Sequence, residues 1–103
     1  MTIGSKPGHE IPLSDEGYFE DPSQWNENLA REYGAREGIE ITHEHLAILE
    51  LLRERYFSGH SATVRSITRS GLADVKKLYT LFPDAPLKTA IRLAGLPKPK
   101  GCY

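Results

Sequence analysis

Between Asp21 and Gly95 the sequence falls into five short runs of periodic apolar residues, nearly all opened by a capping residue and closed by glycine or proline. That punctuation leaves little besides a bundle of short helices. Asp21, with Pro22 at the first helical position and Gln24 completing a capping box, predicts a helix to about Glu37. Trp25, Leu29 and Tyr33 would line one face and Gly38 would stop it. Thr42 caps the strongest run, in which Leu46, Leu49, Leu52, Tyr56 and Phe57 recur at spacings of three and four before Gly59. Ser61 or Thr63 caps a short third helix carrying Val64 and Ile67, with Arg65 and Arg69 one turn apart, ending near Gly71. A fourth helix over Ala73 to Phe82 sets Val75, Leu78, Tyr79 and Phe82 on one side until Pro83. Asp84 caps a fifth, from about Pro86 to Ala94, ending at Gly95. Upstream, His9 to Leu13 and Tyr18 to Glu20 flank the turn-rich Ser14-Asp15-Glu16-Gly17 and read as a short β-hairpin. The expected fold is mainly α with a small β element (α+β): a small orthogonal bundle of about five helices with an N-terminal hairpin.

With 103 residues, 39% of them hydrophobic, the chain has material for one core. The single cysteine, Cys102, excludes an intramolecular disulfide and a multi-cysteine zinc site, so the fold stands on packing. No stretch reaches the roughly 18 apolar residues of a membrane span and the first residues lack a signal-peptide core, so the protein is expected in the cytoplasm, away from membranes. The net charge of -1 conceals a division. Residues 1–60 hold 5 Lys and Arg against 12 Asp and Glu, whereas residues 61–103 hold 8 against 2.

After Gly95 come Leu96-Pro97-Lys98-Pro99-Lys100-Gly101-Cys102-Tyr103, in which two prolines one residue apart exclude helix. Residues 1–95 are therefore read as one domain and 96–103 as a flexible arm, whose seven steps from Gly95 to Cys102 span up to roughly 23 to 25 Å when extended. A thiol on such a tip suits transfer chemistry, because one sulfur can visit a donor and then an acceptor. The nucleophile is the thiolate, a few per cent of a cysteine with a pKa of about 8.5 at neutral pH. Arg92, Lys98 and Lys100 would favour it, the terminal carboxylate opposes them, and Gly101 leaves room beside the sulfur.

Leu81-Phe82-Pro83 and the ending Ala90-Ile91-Arg92-Leu93-Ala94-Gly95-Leu96-Pro97-Lys98-Pro99-Lys100-Gly101-Cys102-Tyr103 resemble the C-terminal signature of the DsrC/TusE family. Gly17-Tyr18, Trp25, Thr42-His43-Glu44-His45-Leu46, Tyr56-Phe57, Val64-Arg65 and Leu78-Tyr79 extend the likeness over nearly the whole chain. The resemblance implies a helical domain with a hairpin and a mobile arm, and a penultimate cysteine, here Cys102, that accepts persulfide sulfur. It also implies an arginine, here Arg65, that can hold the arm to the body. Members acting with sulfite reductase carry a second arm cysteine where this chain has Ile91, and commonly a longer connection between the positions of Arg65 and Leu78. Both differences, unlike the minor ones at Ala62 and Leu46, move the chain toward the single-cysteine TusE-like branch.

The function expected on that basis is a sulfurtransferase-type carrier without metal or organic cofactor. It would take sulfur from a TusBCD-like donor and hand it to a tRNA thiolase, with at most indirect contact to tRNA, as a monomer docking through Arg65, Arg92, Lys98, Pro99, Lys100 and Gly101. Two alternatives stand beside it: a DsrC-like carrier or regulator in sulfur oxidation or sulfite reduction, and a helix-turn-helix-like nucleic-acid-binding regulator over residues 43–71. The second has thin support, since only Arg65, Ser66, Arg69 and Ser70 would face the ligand and Glu44, Glu50 and Glu54 make the preceding helix acidic. His43 and His45, two apart on a helix, do not share a face as metal ligands and are read as helix-start polarity. His9 and His60 have no ligand neighbours. Trp25, Tyr33, Tyr56, Phe57, Tyr79 and Phe82 are read as core.

Overall fold

Most of the helices open where a side chain takes up the first free amides, and the computed structural model shows these caps one by one. It describes residues 2–4, 10–60, 63–83 and 85–98. Strand β1 (Thr2–Ile3) pairs antiparallel with β2 (Ile11–Pro12), Ile3 opposite Ile11. A 3-10 turn (Pro22–Gln24) precedes α1 (Glu27–Arg36), α2 (His43–Phe57), α3 (Val64–Ser70), α4 (Val75–Leu81) and α5 (Pro86–Leu93).

The expected turn at Ser14–Gly17 forms, with Gly17 N–H donating to the Ser14 carbonyl (2.9 Å) and Ser14 N–H to that of Tyr18 (2.7 Å). Leu13 and Phe19 make a single bridge across it. The expected hairpin pairing continues past it, with Glu20 N–H donating to the Pro12 carbonyl (3.4 Å), while residues 11–12 also pair with β1, whose Ile3 is a fully buried core residue; His9 lies outside the described residues.

The helix expected from Asp21 is two elements. Asp21 Oδ1 accepts from Ser23 N–H (3.0 Å) and caps only the 3-10 turn, without the Gln24 capping box. Trp25 is extended, and Asn26 Oδ1, accepting from Leu29 N–H (2.9 Å), starts α1 afresh. Thr63, not Ser61, caps α3, in a reciprocal pair with Ser66, and Asp74 Oδ1 caps α4 through Lys77 N–H (2.7 Å). The residue before Pro86 at the start of α5 is Ala85, which offers no capping side chain; Asp84 is outside the described residues.

α5 is the central helix, packed against α1, α2 and α4, while α2 also holds α3. Ile48, Leu49 and Leu52 of α2 meet Ile91 and Leu93 of α5, Ile67, Leu78, Phe82 and Phe19 in one core. Each such side chain contributes on the order of 1.5–3 kcal/mol by leaving water. Tyr33 and Phe82 belong to this core and Trp25 packs on its edge, but Tyr56, Phe57, Val75 and Tyr79 are exposed. α2 overhangs the core at its C-terminal end, and α4 is anchored through Leu78, Leu81 and Phe82, which turns Val75 and Tyr79 outward.

His45 does its helix-start work from inside the core. Its Nδ1 accepts from Thr42 N–H (3.1 Å) and lies 2.8 Å from Thr42 Oγ1. Nε2 therefore carries the hydrogen and donates to the Leu81 carbonyl (2.8 Å), with the ring edge-on to Phe82. His45→Ala would open a void and strand a buried carbonyl. We expect a loss of about 2–4 kcal/mol in urea unfolding, against no more than about 0.5 kcal/mol for His43→Ala at its exposed neighbour.

Candidate functional site

Gly95 decides how the chain leaves the bundle. α5 closes in a Schellman turn: Gly95 N–H donates to the Arg92 carbonyl (3.1 Å) and Leu96 N–H to that of Ile91 (3.3 Å), with Gly95 at φ +70°. A Cβ at Gly95 would overlap the Trp25 ring, whose Nε1–H donates to the Leu93 carbonyl (2.8 Å). Leu96, expected as the first residue of the arm, is 2% exposed, and its carbonyl accepts from Phe19 N–H (3.2 Å). Apolar burial thus carries the body one residue past the expected boundary.

From Leu96 the chain runs to the hairpin turn, where Lys98 Nζ stands 2.6 Å from Glu16 Oε1. That hydrogen bond and charge hold the Lys98 ammonium above its ordinary pKa, on a surface where both side chains stay in water. Pro99, Lys100, Gly101 and Cys102 lie outside the described residues. Covalent geometry alone keeps the Cα of Cys102, four residues on, within about 14 Å of that of Lys98. While Lys98 is paired, the thiol therefore has little more than half the reach reckoned from Gly95. Because the pair is exposed and screened by salt, we expect Glu16→Gln to leave the thermal midpoint where it is, yet to abolish the salt dependence of nitroxide mobility on labelled Cys102.

Arg92 meets the same turn from beneath. Its Nη1 pairs with Glu37 Oε1 (2.9 Å), Nη2 donates to Thr89 Oγ1 (3.3 Å), and its stem lies against Gly17. Tyr33 donates its hydroxyl to the Gly17 carbonyl (2.6 Å), and burial pushes the phenol above its usual pKa although Arg92 pulls the other way, so the donor persists at neutral pH. Lys98 and Arg92 are thus brought to one turn. Arg65 is not: it is exposed on α3 and makes no ion pair among the described residues. On that helix Ser66 Oγ is spent on the cap and Ser70 Oγ donates to the Ile67 carbonyl, leaving Arg65 and Arg69 for any external ligand.

Sequence reasoning missed Arg53. From the C-terminal third of α2 its Nη1 donates to the carbonyls of Ala94 (2.9 Å) and Gly95 (3.4 Å), and Nη2 to that of Pro22 (2.8 Å). Its guanidinium carbon lies 4.6 Å from the Trp25 ring centre and 5.2 Å from that of Phe57. An arginine among leucines one turn before an aromatic pair is the only trace this leaves in the sequence. Among the described residues no group of three His, Cys, Asp or Glu is disposed to hold a metal, and no helix is long and apolar enough to cross a membrane.

A small helical body with a proline-rich tail secured at its root, and one thiol near the end of that tail, has the build of a carrier domain. Comparison with known proteins supplies the family. A model of the family described as "DsrC like protein" matches residues 6–103. Sulfurtransferase TusE of Salmonella paratyphi A is 36% identical over 103 residues, covering 92% of this chain and 94% of that protein. The TusE of Escherichia coli K12 is 34% identical over the same span. The solution structure of Allochromatium vinosum DsrC superposes with a TM-score of 0.83 at 35% identity over the full length of both chains. The oxidized gamma-subunit of the dissimilatory sulfite reductase (DsrC) from Archaeoglobus fulgidus does so with 0.83 at 30%. The chain belongs to the DsrC-like family, and its likeness to TusE and DsrC gives it a sulfur-carrier role.

Proposed function

We propose that the protein carries sulfur as a persulfide on Cys102 and delivers it in tRNA 2-thiouridine synthesis. The observation that carries this reading is the penultimate cysteine on the Leu96-Pro97-Lys98-Pro99-Lys100-Gly101 tail, in a chain 36% identical to a protein named sulfurtransferase TusE. The Cys102 thiolate attacks the outer sulfur of a donor persulfide R–S–SH. A new S–S bond forms on Cys102, the donor's S–S bond breaks, and R–S⁻ leaves with the electron pair. The exchange is redox-neutral and needs no metal or organic cofactor. Lys98, Lys100 and Arg92 favour the anionic sulfur and docking, and Arg65, exposed on α3 and without an ion pair among the described residues, is available to hold the arm beyond Lys98. The donor is a TusBCD-like relay complex, the acceptor a tRNA thiolase, and the setting cytoplasmic.

Ile91 favours this branch over a two-cysteine cycle. It stands where paired members carry their second cysteine, and it is a fully buried aliphatic residue of α5. Reconstitution with a cysteine desulfurase, the relay donor, thiolase and tRNA tests the reading, with nucleosides analysed by mass spectrometry. Formation of 2-thiouridine that depends on the protein is expected. Sulfur that loads onto the protein but never reaches tRNA would overturn the tRNA assignment.

A further inference from the structure

Resting on the carrier reading, we infer that Arg53 is a positioning residue for sulfur transfer: it fixes the direction in which the arm leaves the body, and so where the Cys102 thiol meets a protein donor. The carbonyls around the exit carry the argument. A helix end leaves its last carbonyls without intrahelical partners, and from Ile91 to Leu96 each of them is taken. Ile91 accepts from Leu96 N–H, Arg92 from Gly95 N–H, Leu93 from Trp25 Nε1–H, Ala94 and Gly95 from Arg53, and Leu96 from Phe19 N–H. Arg53 holds the two carbonyls at which the chain turns from helix to tail. Its other nitrogen grips Pro22, so one side chain joins α2, the arm's root and the segment leading into α1.

Arg53 is half-buried between Trp25 and Phe57, and this position lowers its pKa through desolvation. A lysine would keep the charge there but could neither span Ala94 and Pro22 at once nor stack flat between the rings. Ordinary capping of α5 would need neither the second grip on Pro22 nor the two rings. Joined to the absence of any bend-tolerant glycine between Gly95 and Gly101, the clamp makes the exit direction a property of the folded body.

The chain has one cysteine, so a nitroxide goes to Cys102 alone, and a second placed by Glu50→Cys on the exposed face of α2 gives a distance to the arm. Sulfur uptake by the unlabelled protein is measured from glutathione persulfide and from the persulfidated TusBCD-like donor. In Arg53→Lys the distance distribution is expected to broaden, and uptake from the protein donor to slow about tenfold through misplacement. Uptake from glutathione persulfide stays within about twofold, because the thiol's own reactivity is untouched. Trp25→Phe, which keeps a ring under Arg53 but drops the Nε1 donor, should give a smaller change of the same kind. An unchanged distribution in Arg53→Lys, or a changed one with the protein-donor rate retained, overturns the proposal, and a lowered unfolding midpoint alone would leave Arg53 a purely structural residue. If the unsubstituted protein takes sulfur from neither donor, the carrier reading itself fails, and the spin-label distances still decide whether Arg53 directs the arm.

Discussion

Cys102→Ser is expected to reduce sulfur transfer to the rate seen without the protein, both from a protein donor and in complete 2-thiouridine synthesis. The effect is all or nothing because the step is covalent. A serine hydroxyl is not ionised near neutral pH and forms no persulfide, so neither nucleophile nor carrier atom survives. With no second cysteine in the chain, nothing can substitute for it. Single-turnover assays with labelled donor sulfur, on protein whose circular dichroism matches the parent, give the measurement. Residual transfer above a few per cent would mean that sulfur passes elsewhere.

Gly95→Ala should be strongly destabilising to the body. Alanine at φ +70° costs about 1 kcal/mol in backbone strain, and the added methyl would lie in the Trp25 ring. Either the ring or the turn must move. A displaced ring gives up the Leu93 carbonyl and its stack on Arg53, and a displaced turn gives up the Schellman bonds. Together these amount to about 3–4 kcal/mol, which in a domain this size lowers the melting temperature by roughly 15 °C or more. Gly38→Ala and Gly59→Ala supply the internal comparison. Both glycines have positive φ, but a Cβ there meets nothing within 4 Å, so only the strain of about 1 kcal/mol is expected. Thermal unfolding followed by fluorescence of Trp25, the single tryptophan, reads stability and ring displacement together. Equal losses at Gly95 and Gly38 would show that the Trp25 contact carries no energy.

The caps at Thr42 and Thr63 and the stops at Gly38, Gly71 and Gly95 were legible because each is decided by residues within one turn of it. The split at Trp25 was not, because it is settled at a distance: the indole finds the Leu93 carbonyl, 68 residues on, and Asn26 then restarts the helix. Helical spacing put Tyr56 and Tyr79 in register with the core but could not say that α2 outruns the core or which side of α4 Leu81 would claim. At the site, the tail and its thiol are a covalent fact of the sequence. The clamp is a tertiary one, since the partners of Arg53 are backbone carbonyls that no side-chain pattern encodes. His45 hid for the same reason, because its second partner is the carbonyl of Leu81.

The most direct test of a single-thiol sulfur carrier is the intact mass of the protein after a brief incubation with a persulfidated donor and removal of that donor. The expected product is a species heavier by one sulfur atom, lost on treatment with a reductant, placed by peptide mapping on Cys102 and absent from Cys102→Ser. A protein that keeps its original mass beside a donor able to load another thiol would contradict it.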